Sequence, residues 1–323
     1  MTAMPAFIRR FAIVIGCLAC AVPSVTLAHA SGAAPPELPG VLLTIVPDPL
    51  PWLGSCVAVA GYVVLVRRVN AGHPANPIPA WRTVAWVSGV AALLVALVSA
   101  IDVYADELLT VHMVQHVLLT MVAPPLLALG APVTLLLRAA TPDARRRVLL
   151  PILQAPLLRI ATHPVVAWSL FAAVMWFAHF SPLYDAALEQ PALHVVEHGI
   201  FLVAGVLFWW PIVAADPISH RLGEAGRFVY LVLQMPVNAA VGLAIYWAPS
   251  VLYAHYANGE RSWGPSPLVD QQIGGLVMWA AGDLLLLAAV AAVIAAWMRA
   301  DARRTVRADG RRAVLAAPRD ARR

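Results

Sequence analysis

Seven stretches of this 323-residue chain, near residues 48–66, 83–101, 108–129, 164–180, 194–214, 228–248 and 273–298, are long and apolar enough to cross a bilayer. A crossing needs about 20 predominantly apolar residues, and lipid supplies no partner for an open backbone, so such stretches must be helices. With 61% hydrophobic and 12% charged residues, the composition lies outside the range of soluble globular chains. The expected fold class is all-α, a polytopic membrane helix bundle of seven transmembrane spans after a signal peptide.

The N-terminal segment carries Arg9 and Arg10, then an apolar run from Phe11 to Ala28 that ends on small residues around Ala28-His29-Ala30. This is the pattern of a secretory signal peptide over residues 1–30, with a retained eighth helix as the alternative. Residues 31–47 form an outer Pro-rich segment, residues 48–298 the seven-span membrane domain, and residues 299–323 an Arg-rich tail.

Orientation follows from charge. Every basic residue other than histidine is arginine, and loops with Arg67, Arg68, Arg138, Arg145, Arg146, Arg147, Arg159, Arg221 and Arg227 alternate with loops holding Asp102, Asp106, Glu107, Asp185 and Glu189. The positive-inside rule puts the Arg-rich loops, and the tail with its nine arginines, in the cytoplasm. The tail reads as a surface anchor for anionic lipid, not for nucleic acid. Cys17 and Cys20 fall in the signal segment and Cys56 stands alone, so the mature chain has no disulfide and no thiolate metal pair.

Against this background five histidines stand out. His112 and His116 lie about one and two turns into the third span from its outer end, and a four-residue step turns only about 40° around a helix, so both can address one ion. His194 and His198 repeat the spacing at the start of the fifth span, with Glu197 on a neighbouring face, and His179 closes the fourth. Polar side chains at membrane depth are costly and mark sites or pathways, and metal coordination is the most economical reason for several imidazoles at one level. Asp270, at the outer mouth of the last span, and Asp283, near its middle, could support ligand imidazoles from outside the coordination sphere, as could Glu197. His73, His163 and His220 read as inner surface residues, and His29 and His255 lie in outer loops, His255 as a candidate gate.

Two proline features should bend the bundle. Pro124-Pro125 lies deep in the third span, whose apolar run continues to Leu137, so a kink followed by an inner interfacial segment is expected. Pro236 near the middle of the sixth span, flanked by Gln234 and Asn238, should kink it and free a carbonyl close to the two amides.

The run His112-Met-Val-Gln-His116-Val-Leu-Leu, continuing through Ala123-Pro124-Pro125-Leu to Gly130-Ala-Pro132-Val, resembles the multispan CtaG-type assembly factors of bacterial caa(3)-type cytochrome c oxidase. So do His179-Phe-Ser-Pro182-Leu-Tyr184-Asp185, His194-Val-Val-Glu197-His198, Leu207-Phe-Trp209-Trp210-Pro211 and Asp270-Gln-Gln-Ile-Gly274-Gly275-Leu-Val-Met-Trp279. The likeness covers roughly residues 45–298.

The resemblance implies a multi-pass protein of the bacterial plasma (inner) membrane that helps build the oxidase, with oxidase subunits as partners and copper as its metal. On that basis His112, His116, His179, His194 and His198 are the candidate metal ligands, near the outer face, with the C-terminus in the cytoplasm. The alternatives are a membrane-embedded zinc-dependent hydrolase, with Asp283 or Glu197 as general base, a haem protein with histidine axial ligands, and a metal-free structural chaperone for oxidase subunits. A non-enzymatic role is the expectation.

Overall fold

The computed structural model describes residue 35 and residues 44–217, 219–259 and 261–316. The expected signal peptide and residues 317–323 of the Arg-rich tail lie outside the described residues, as does most of the Pro-rich segment. The described residues fall in one compact unit, Gly32–Arg323, and they are helical apart from loops and a single bridge between Ile45 and Ser99.

The helices are α1 (Pro49–Gly72), α2 (Ala80–Val98), α3 (Ala100–Ala105), α4 (Leu109–Val117), α5 (Ala123–Leu129) and α6 (Pro132–Ala139). Three short pieces follow, α7 (Pro142–Ala144), α8 (Leu150–Leu153) and α9 (Pro156–Ala161). Then come α10 (Pro164–Phe180), α11 (Leu183–Glu189), α12 (Pro191–Val213), α13 (Glu224–Tyr246), α14 (Ala254–Asn258) and α15 (Pro267–Ala316).

Among the described residues six helical stretches are long and apolar enough to cross a membrane, and a seventh forms if α10 and α11 are one span bent by 70°. The bend sits at Ser181-Pro182. Proline disfavours helical backbone in the residue before it, and Ser181 is extended at φ −120°, ψ 160°. The protein is an all-α polytopic membrane bundle.

The third span shows how sequence sets shape. The stretch Leu109–Ala139 runs as one apolar length of 31 residues, but between α4 and α5 it widens to a π-turn over Leu118–Val122. The residues four and five positions after Thr120 are Pro124 and Pro125, neither of which has an N–H, so the Thr120 carbonyl has no partner within its own helix. The indole Nε1–H of Trp209 on α12 donates to that carbonyl at 3.0 Å. Gly205 makes the approach feasible, because a Cβ there would lie 2.8 Å from Pro124 and 2.9 Å from the Thr120 oxygen.

Both ends of this span are clamped by distant aspartates. Asp270 accepts from the backbone amides of Leu109 and Thr110 at 2.8 and 3.2 Å. Asp216 accepts from Val133 and Thr134 at 3.2 and 2.6 Å, at the start of α6. Each carboxylate satisfies amides that a helix start leaves open and complements the positive end of the helix dipole.

The remaining scaffold is the close pair α13 and α15. A Cβ at Gly275 would meet the Gly242 carbonyl at 2.6 Å, and one at Gly242 would meet the Gly275 carbonyl at 2.7 Å. Small residues let two backbones approach where lipid gives no hydrophobic drive to pack. Asn238 then donates across to the Met278 carbonyl at 3.2 Å and to Asp283 at 3.1 Å. Pro236 sits inside α13 without ending it. The last helix, 50 residues long from Pro267 to Ala316, runs on past residue 298 into the Arg-rich tail. Alanine and arginine, which dominate this part of the chain, are strong helix formers.

Candidate metal centre

The five histidines expected from sequence meet at one end of the bundle. Their rings form an unbroken run, with centroid separations of 4.2 Å from His198 to His194, 5.5 Å to His112, 4.3 Å to His116 and 5.4 Å to His179. Three elements deliver them: α4 carries His112 and His116, the end of α10 carries His179, and the first turns of α12 carry His194 and His198. The i,i+4 spacing does what it predicts, and Nε2 of His112 stands 2.7 Å from Nε2 of His116.

Burial is nearly complete. His112, His116 and His179 are 0%, 1% and 2% exposed, and Glu197 is 7% exposed. Tyr184 and Phe201 close the site, with the Tyr184 ring 5.4 Å from His112 and the Phe201 ring 4.3 Å from His116.

Ring orientation is fixed from outside the run. The Tyr256 hydroxyl donates to the Ala105 carbonyl at 2.7 Å, so towards Nδ1 of His112, 3.1 Å away, it can only accept. That assigns the proton of His112 to Nδ1 and leaves the Nε2 lone pair facing the cluster. His179 Nδ1–H donates to the Met175 carbonyl at 2.6 Å, so its Nε2, buried and without a hydrogen-bond partner, is also a lone pair. Hydrogen bonds of this kind on the far nitrogen set tautomer and basicity in metal-bound histidines.

A test of fit follows from distances. Ligand-capable atoms of His112, His194 and Glu197 all lie within 4.8 Å of one another. Ligands bonded at about 2.0 Å in a tetrahedral site are about 3.3 Å apart, so modest side-chain rotations close the gap. Nδ1 of His116 and Oε2 of Glu197 are buried without hydrogen-bond partners. A buried acceptor left unpaired is costly, and a cation would satisfy it.

The three supporting carboxylates expected from sequence have different places. Glu197 stands inside the candidate ligand group rather than behind it. Asp270 spends both oxygens on the amides of Leu109 and Thr110, with Arg261 at 3.9 Å, and so positions the helix that carries His112 and His116. Asp283 pairs with Asn238, within the α13–α15 contact.

The loop that holds His255, the candidate gate, covers the site, and its two tyrosines, which the sequence reading did not single out, make the contacts to the histidines. Tyr253 donates to the His179 carbonyl at 3.3 Å, and Tyr256 reaches His112. His255 between them sits 3.2 Å from the Asp106 carboxylate and 2.9 Å from its carbonyl. The hydrogen bond to Asp106 raises the His255 pKa, against the opposing effect of burial. The Tyr-x-x-Tyr around His255 was the signal available for this role. At the same end, burial pushes the Asp102 carboxyl up to about 7, although the hydrogen bond from Gln115 pulls the other way.

The chain matches the sequence profile of the cytochrome c oxidase caa3 assembly factor (Caa3_CtaG) family over residues 60–300. It is 34% identical over 251 residues to an uncharacterized protein of Mycobacterium bovis, Mb0105, and to one of Mycobacterium tuberculosis, MT0111. It is 33% identical over 258 residues to ML1998, an uncharacterized protein of Mycobacterium leprae. These alignments cover 76–78% of this chain but 37–39% of the relatives, so the chain spans little more than a third of their length. No solved structure matches it. On the profile match over most of its length, the chain belongs to the caa3-type cytochrome c oxidase assembly factor family.

Proposed function

We propose that the histidine cluster takes up a copper ion as cargo at the outer face of the bacterial plasma membrane and passes it to a cytochrome c oxidase subunit during assembly. The observation that carries this reading is the unbroken run of five imidazoles, two of them held by Nδ1 hydrogen bonds with Nε2 turned into the cluster. Family membership supports the oxidase as client.

Neutral imidazole suits copper in either common oxidation state. A run of donors, more than one ion needs, lets the metal change ligands stepwise, which is what a carrier requires. The supports for an outward cluster are the acidic loops at the histidine end, where Arg261 is paired with Asp270, and the larger number of arginines in the loops at the other. Residues 1–30 as a signal peptide and residues 299–323 as a cytoplasmic, anionic-lipid-binding tail belong to the same reading.

One observation favours a second reading. His112, His194 and Glu197 form a two-histidine, one-carboxylate set of the kind that zinc hydrolases use. Under that reading the purified protein holds zinc and cleaves an ester or amide, and Glu197→Ala abolishes the activity.

The test is the copper content of the client oxidase in cells whose copy carries His112→Ala and His116→Ala. The proposal expects oxidase assembled without its full copper. A fully loaded oxidase would end the copper reading and leave a metal-free structural chaperone.

A further inference from the structure

A second pair of histidines meets at the opposite end of the bundle. α10 is 17 residues long, so about 24 Å of helix, at about 1.5 Å per residue, separates His163 at its start from His179 near its end. There a cleft of about 300 Å³ is lined by Pro156, Arg159, Ile160, His163, Val166 and His220. The His163 and His220 rings, from loops 57 positions apart, stand 4.6 Å apart at 65°.

Three features make this cleft a place for an anion. Arg159 stands on its wall with no Asp or Glu among the lining residues. His163 is the N-cap residue of α10 but makes no side-chain bond to it, so the positive end of that helix is left without a side-chain cap. Nδ1 of His220 is buried and has no hydrogen-bond partner. A guanidinium and a helix N-terminus both repel a metal cation, so the histidine pair here does not repeat the chemistry of the five-histidine cluster.

The rest of the wall is apolar and open. Ile160 is 58% and Val166 36% exposed, and this end of the bundle also carries Arg67, Arg68, Arg138, Arg145, Arg146, Arg147, Arg221 and Arg227. A charged head beside an apolar wall at the edge of a membrane bundle is the shape of a phospholipid. We propose that this cleft binds the phosphate of an anionic lipid headgroup through Arg159, His163 and His220, with Ile160 and Val166 against the upper acyl chains. The site is separate from the Arg-rich tail and does not depend on what the five-histidine cluster carries.

The test is native mass spectrometry of the full chain in detergent, titrated with phosphatidylglycerol, phosphatidylcholine or inorganic phosphate. Phosphatidylglycerol should stay bound, and Arg159→Ala or His163→Ala with His220→Ala should each weaken it about tenfold or more, as loss of a charge-assisted hydrogen bond does. Arg146→Ala, on the same face but outside the cleft, should bind as the parent does. His220→Gln, which keeps bulk and polarity, serves if the alanine variants unfold, and it should also bind more weakly. Parental binding by the folded cleft variants, equal retention of phosphatidylcholine, or displacement of the lipid by an equal concentration of inorganic phosphate would each overturn the proposal.

Discussion

The Tyr256 hydroxyl donates to the Ala105 carbonyl at 2.7 Å and so accepts the Nδ1 proton of His112 at 3.1 Å, across 144 positions of sequence. One hydroxyl thereby ties α14 to α3 and holds the central imidazole with Nε2 towards its neighbours. Removing it in Tyr256→Phe should weaken copper binding by about 10–100-fold, the usual cost of losing such a support. Tyr253→Phe, which loses only a bond to a backbone carbonyl, should change affinity much less. Competition titration against a copper chelator measures both.

Asp270 has a structural task, although it stands at the level of the cluster. Asp270→Ala would strip the Leu109 and Thr110 amides of their acceptor and leave the 7%-exposed Arg261 side chain without its carboxylate. Leaving a buried charge unpaired costs about 3–5 kcal/mol. The expected result is a clear fall in Tm in detergent and weaker metal binding together, because α4 loses its anchor. Asp283→Asn keeps an amide partner for Asn238 and should lower Tm far less.

Asp102 gives the protein a pH-dependent stability of defined sign. Burial holds its carboxyl at about 7, above its ordinary value of 3.8, so the folded state keeps a proton that the unfolded state has lost. Stability from this group is fully present below about pH 4 and falls as pH rises towards 7. Asp102→Asn keeps an oxygen for Gln115 and carries no charge, so its Tm advantage over the parent should grow from pH 5 to pH 7 and level off above. Thermal melts across that range check the slope.

Gly275→Ala should separate α13 from α15, since its Cβ would press on the Gly242 carbonyl at 2.6 Å and on the Tyr246 amide at 2.7 Å. Backbone atoms cannot swing aside as side chains do, and overpacking of this kind costs about 1–3 kcal/mol. Gly54→Ala, with nothing within 4 Å, should be neutral or slightly stabilising in the same melt.

Much of the fold was legible because apolar runs of span length can only be helices in lipid. The disturbance before Pro124 was foreshadowed by proline, whereas Ser181-Pro182 read as the end of the fourth span and not as a 70° bend into a further helix. That the disturbance takes the form of a π-turn, answered by the Trp209 indole, was not legible, because the partner lies 89 positions away. The same limit applies to the site. His112 with His116 and His194 with His198 were legible from their spacing on a helix. The clamps by Asp270 and Asp216, the Tyr256 bond and the His163–His220 contact each join segments far apart in sequence, and no local pattern encodes them. Glu197 looked like a residue on a neighbouring face, whereas the packing of α12 against the third span leaves its carboxylate within 4.8 Å of donors on His112 and His194.

The central claim is that the imidazole run holds copper, and the most direct measurement is metal content by mass spectrometry of the detergent-purified full chain. Parallel samples would be exposed to copper and to zinc, with a His112→Ala, His198→Ala variant beside the parent. The account predicts about one copper per chain, lost in the variant while its Tm is kept. Zinc retained in preference to copper, or copper retained equally by the variant, would contradict it.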